Sequence, residues 1–177
     1  MPREDDSATS TVPQAPDIRR LARARTMRRA FLTALFVLLA LGLAGRMGVR
    51  SATAERSAGG YSMRVTYAAA TRPGLDTPFT IALRHPGGFK DKVTLAVRTA
   101  YLDMFDKNGG LDPEPSESSS DDRFVYWTFD PPSGDVMRVS LDAIMAPSQQ
   151  WGERGIVRLM SEDTPVLDVS FRTWVMP

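Results

Sequence analysis

The 177 residues carry 22 Lys and Arg against 21 Asp and Glu, a formal net charge of +1, with no cysteine. That length leaves room for one domain of ordinary size beside an N-terminal extension. The missing cysteine excludes disulfides, thiolate metal sites, a cysteine nucleophile and a lipoprotein anchor. The near-zero charge hides an asymmetry: residues 1–56 hold ten arginines against five acids, net +5, and residues 57–177 twelve basic residues against sixteen acids, net −4. An acidic main domain argues against nucleic acid as a partner.

Residues 1–17 are rich in Ser, Thr, Pro and acids and have almost nothing to bury, so they read as disordered. Arginines follow at positions 19, 20, 23, 25, 28 and 29, and residues 1–29 together read as a basic cytoplasmic tail. Residues 18–29 could extend as a basic helix along the inner leaflet, or the arginines could serve only to set topology. Behind them residues 30–45 read AFLTALFVLLALGLAG, without a charge. Such a run is stable in hydrocarbon as a helix, which satisfies its own backbone. At 1.5 Å per residue it reaches about 24 Å, short of a ~30 Å hydrocarbon core, so the expected transmembrane helix is taken to include residues up to 49. The positive-inside bias then puts the N-terminus in the cytoplasm and the main domain outside, in a single-pass cell-membrane protein that meets the lipid bilayer through residues 30–49.

The rival is an export signal. Arg28-Arg29-Ala30-Phe31-Leu32 resembles the twin-arginine motif, and Ala52-Thr53-Ala54 offers a cleavage site after Ala54. Met27 stands where that motif expects Ser or Thr, and Arg46 and Arg50 intervene before the cleavage site. Residues 50–60 read as a flexible linker.

From Tyr61 the hydrophobic period becomes two, the mark of half-buried strands. Seven segments show it, with apolar positions at Met63/Val65/Tyr67, Phe79/Ile81/Leu83, Val93/Leu95/Val97, Val125/Trp127/Phe129, Met137/Val139/Leu141/Ala143, Val157/Leu159 and Leu167/Val169/Phe171. Pro and Gly clusters bracket them, and no amphipathic helix competes. The expected fold is mainly β, an antiparallel sandwich of about seven strands over residues 61–177, preceded by the one N-terminal transmembrane helix.

The segment Asp76-Thr77-Pro78-Phe79-Thr80-Ile81-Ala82-Leu83 resembles the second strand of many bacterial immunoglobulin-like domains, in which a small turn and a Pro-Phe pair lead into alternating aliphatics. The resemblance implies an immunoglobulin-like architecture for residues 61–177. It transfers no catalytic or binding residue, because this fold hosts adhesion, scaffolding and sensing alike. The layout of an anchor and one outer domain, with the end Phe171-Arg172-Thr173-Trp174-Val175-Met176-Pro177, is also similar to actinobacterial membrane proteins.

Chemistry-bearing residues are few. The longest insertion, residues 101–123, holds seven acids, and Asp106, Asn108 and Asp112 are candidate ligands for a hard cation such as Ca²⁺. The EF-hand pattern fails there, with Gly110 in place of a third acid and Leu111 in place of the glycine. The alternative is a solvated acidic loop. Asp121 and Asp122 are adjacent and would point opposite ways on a strand, so they make no acid–base pair. His85 is the only histidine and lacks a neighbouring nucleophile, so it reads as a turn residue.

Arg64, Arg84, Arg98, Arg138, Arg158 and Arg172 fall on outward positions of six different strands. They can form a ladder paired with Asp142 or Asp168, or a basic strip for an anionic polymer. Tyr126, Trp151 and Trp174 are candidate partner-binding aromatics, with Trp174 also placed to lie at a membrane surface. These features point to a non-catalytic accessory module that needs no cofactor and binds another envelope protein, an integral membrane one for preference. The alternative is a module for an envelope polymer or a cation.

Overall fold

The computed structural model describes residues 18–43, 48–106, 109–162 and 164–176, with backbone alone at 18–22 and 43. It divides into two units, Met1–Met47 and Gly48–Pro177.

In the first unit one helix, α1, runs over Ile18–Leu43. Leu, Ala and Arg, all good helix formers, dominate it, and glycine appears only at Gly42. The basic and apolar segments are thus a single helix. Its described side chains, including Phe31, Leu32, Phe36, Leu38, Leu39 and Leu41, are exposed. Among the described residues no helix is long and apolar enough to cross a membrane. The physical reason is length: described residues 30–42 reach about 20 Å, and arginines begin directly before them. The expected helix over residues 30–49 is corrected at its far end. The helix is described as far as Leu43, residues 44–47 lie outside the described residues, and Gly48 and Val49 are not helical and begin the second unit. The tail reading of residues 1–17 also lies outside the described residues.

The second unit contains, in chain order, β1 (Arg50–Ala58), β2 (Tyr61–Thr71), β3 (Phe79–Arg84), β4 (Val93–Arg98), α2 (Thr99–Leu102), β5 (Leu111–Asp112), β6 (Glu117–Ser120), β7 (Phe124–Phe129), β8 (Val136–Leu141), β9 (Arg154–Ser161), β10 (Thr164–Arg172) and β11 (Trp174–Val175). They form two sheets. The first has the order β1-β2-β3-β8-β5, with β11 beside β2, and the second the order β10-β9-β4-β7-β6. All pairings are antiparallel except β11 with β2, which is parallel. The fold is therefore mainly β, a sandwich-like pair of sheets compatible with an immunoglobulin-like arrangement.

The seven segments with a period of two are strands, and their apolar positions turn inward. Met63, Val65, Ile81, Leu83, Leu95, Val97, Val139 and Val157 are each almost completely buried between the sheets. Burial of such side chains supplies roughly 1.5–3 kcal/mol apiece against the entropy of ordering the chain. An aromatic cluster closes one end of this core: Tyr101 meets Phe105 and Phe171 edge-on, with ring centroids 5.3 and 5.0 Å away. The Tyr101 hydroxyl lies 3.2 Å from the Thr173 Oγ1, which donates to the Ala68 carbonyl at 2.7 Å. Burial pushes the Tyr101 phenol far up from its ordinary pKa, against the smaller effect of the Thr173 hydrogen bond.

Two expectations are corrected here. Residues 50–58 are not a linker but the edge strand β1, paired with β2 from Arg50 to Ala58. The start of the acidic insertion is not a loop: Tyr101, Met104 and Phe105 are core residues carried by α2 and the turn after it.

Candidate functional site

The two outer faces carry the same motif and finish it differently. On the first sheet, register aligns Glu55, Arg64, Ala82 and Arg138 across β1, β2, β3 and β8. Arg64 donates through Nε and Nη2 to Oε2 of Glu55 at 3.1 and 2.9 Å, and the Ser62 hydroxyl donates to Oε1. The Arg64 guanidinium holds the Glu55 carboxyl below the usual range. One row away, Arg84 reaches Asp135 at 3.4 Å, on the strand side where Val136 pairs with it. The Arg138 side chain makes no ion pair or hydrogen bond among the described residues. Ala82 is too small to fill the space between the arginines. A groove of about 690 Å³ remains, lined by Ala82, Val136, Arg64, Arg84 and Arg138, with Glu55 also on its wall.

On the second sheet, register aligns Asp168, Arg158, Ala96, Tyr126 and Ser119. Here the space over the alanine is filled. Phe124, on the outer face of β7, is buried, and the Arg158 guanidinium sits 4.5 Å from its ring centroid. Arg158 also donates to Asp168 at 3.1 Å. The Tyr126 hydroxyl donates to Asp121 at 2.8 Å. Asp121 also accepts from the N–H groups of Arg123 and Phe124, at 2.7 and 2.6 Å. Those two backbone donors and the phenol hold the Asp121 carboxyl below its ordinary pKa, and the carboxylate raises that of Tyr126.

The expected arginine ladder is therefore partial. Arg158 pairs with Asp168 as the sequence suggested, whereas Arg64 and Arg84 use Glu55 and Asp135. Arg98 donates to the Arg154 carbonyl, and Arg172 lies over Trp174. Tyr126 is half-buried and occupied with Asp121. Trp151, in the loop before β9, and Trp174, on β11, are both exposed. The structure does not bring Tyr126 together with the tryptophans in any contact.

Of the candidate cation ligands, Asp106 and Asp112 are exposed and Asn108 lies outside the described residues. Among the described residues no group of three or more acids or histidines is placed to hold a metal ion. Other acids of the insertion are used structurally: Glu117 pairs with Lys92 at 2.6 Å, and that pairing lowers the carboxyl and raises the amine. His85 is half-buried, with its ring 4.2 Å from that of Tyr61, and its Nδ1 donates to the Gly60 carbonyl at 3.1 Å.

Sequence reasoning finds the outward arginines but not the groove. Alternation tells which side chains face out, whereas neighbours across strands depend on register. Fold and surface together define a class of protein, a mainly β sandwich-like domain with one filled outer face and one open, cationic one. No protein-family model matches the chain, and no curated protein matches it.

Proposed function

We propose that this protein is a membrane-tethered, extracytoplasmic interaction module that binds an acidic surface of another envelope protein. The observation that carries this reading is the open groove on the first sheet, where three arginines lie beside Ala82 and Val136 and Arg138 has no acidic partner among the described residues. An arginine rim beside exposed apolar side chains offers charge-assisted bonds to carboxylates together with apolar contact. Arginine is suited to this role because its fork pairs two oxygens at once.

The tether is α1. Its apolar half exposes large side chains around the whole circumference, not along one stripe, and such a helix calls for a hydrocarbon surrounding. Arginines ahead of it favour a cytoplasmic N-terminus. An uncleaved tether is preferred to a cleaved signal because Ala52, Thr53 and Ala54 lie inside β1, paired with Tyr67, Thr66 and Val65. Cleavage after Ala54 would cut that edge strand in two. A tethered domain meets its membrane neighbours at raised effective concentration, so the groove need not bind tightly on its own.

The test is in-cell crosslinking of the full-length protein, mild detergent extraction and mass spectrometry, with Arg138→Glu beside the wild type. One dominant membrane protein among the crosslinks, lost in the variant, is the expected result. Crosslinks scattered over abundant bystanders, or unchanged in the variant, overturn the reading. Salt-sensitive sedimentation with isolated cell wall would then identify a polymer as the occupant.

A further inference from the structure

The end of the sandwich where β2, β8 and β10 finish carries two tryptophans that the domain leaves bare. Trp151 is 77% exposed and Trp174 56%, whereas the third tryptophan, Trp127, lies in the core. The backbone brings the two together. Gly152 lies so close to Thr173 and Trp174 that a Cβ there would overlap the Thr173 carbonyl. The Thr173 N–H donates to the Glu153 carbonyl at 3.0 Å, fixing the Trp151 loop against β11. Exposed Leu75 and Ile144 share this end, where the Met145 N–H donates to the Leu75 carbonyl at 3.0 Å. The Arg172 guanidinium stands 4.2 Å from the Trp174 ring centroid, and Arg172 faces Arg154 in register. The chain comes into the domain at the same end: Arg50 pairs with Ala70, and Ala70 with Trp174.

We infer that this end of the sandwich rests in the headgroup layer of the bilayer that holds α1, with Trp151 and Trp174 as interfacial anchors and Arg172 and Arg154 against lipid phosphates. The inference rests on the proposed tether. The first strand after the tether in sequence, β1, begins at this end of its own unit, at Arg50. Tryptophan favours this layer because its large apolar ring is buried while its N–H stays hydrated. Arginine over the ring keeps both its face for the indole and its donors for phosphate. Docked in this way, the domain would hold the groove of the first sheet at a fixed height above the membrane.

The experiment uses the full-length protein in vesicles of phosphatidylcholine and phosphatidylglycerol that carry a spin-labelled quencher near the headgroup. Flotation of the same vesicles is run in parallel. The wild type is expected to float and to lose tryptophan emission to the quencher. The double variant Trp151→Phe/Trp174→Phe, which reports Trp127 alone, should float and keep its emission. A wild type that floats without quenching overturns the inference and leaves the tether standing. A wild type that does not float overturns the tether and the inference with it. Equal quenching of the double variant also overturns the inference, because Trp127 is shielded in the core.

Discussion

Each outer face of the sandwich begins with an acid, an arginine and an alanine in register, as Glu55–Arg64–Ala82 on one and Asp168–Arg158–Ala96 on the other. The neighbouring strand then sets the two apart. On the second sheet it supplies Phe124 and Tyr126; Phe124 seats Arg158, Arg158 pairs with Asp168 Oδ2 and Tyr126 with Asp121, while Asp168 Oδ1 is buried without a hydrogen-bond partner among the described residues. On the first sheet it supplies Val136 and Arg138, and the space stays open. Alike at three positions, the faces differ in whether the space over the alanine is filled. A filled face stabilises the fold, and an open one is available for recognition.

The comparison breaks most severely at Phe124. Phe124→Ala should cost about 3 kcal/mol, since it removes a buried ring and the seat of Arg158. Urea unfolding measures it, and a loss below ~1 kcal/mol would show that the filled face contributes little. A paired substitution sharpens the contrast. Ala96→Phe forces a ring into occupied space and should cost roughly 1–3 kcal/mol. Ala82→Phe puts the same ring into the groove and should change stability by less than about 0.5 kcal/mol while abolishing the dominant crosslink. Equal costs at the two alanines would erase the distinction between the faces.

How much of this was legible in the sequence depends on which features are local. The seven alternating segments are readable because each carries its own inward row of large apolar residues. Strand β1 is not: its inward positions are Ala52 and Ala54, and its partner β2, not its composition, makes it a strand. Strand β6, Glu117 to Ser120, is likewise polar throughout and defined by pairing with β7. The core role of Tyr101, Met104 and Phe105 is in principle readable, since spacings of three and four mark one face of a helical turn. The surrounding acids mask it. Sequence reasoning finds the exposed tryptophans and misses the hydrogen bond of Tyr126 to Asp121, because Asp121 lies across a turn whose geometry no periodicity reports. The groove is out of reach, because three strands must be placed in register before Arg64, Ala82 and Arg138 become neighbours.

The smallest expected effect tests the filled face by titration. Asp121 accepts from the Arg123 and Phe124 N–H groups and from the Tyr126 hydroxyl, so its folded pKa lies below the ordinary value of 3.8. A depressed carboxyl pKa means that the stabilisation is complete above that ordinary value and is lost as pH falls through the folded one. Tyr126 is the mirror case: its pKa is raised from 10.0, so its share is present below that value and is lost as pH rises through the raised one. Tyr126→Phe removes one donor of three. Asp121 should then titrate higher, yet still below the ordinary range, because both backbone donors remain. Carboxyl NMR on the wild type and the variant measures this directly. An unchanged Asp121 would mean that the phenol does not hold the carboxylate in solution. Tyr126 would then be free to reach outward, and the contrast between the two faces would weaken.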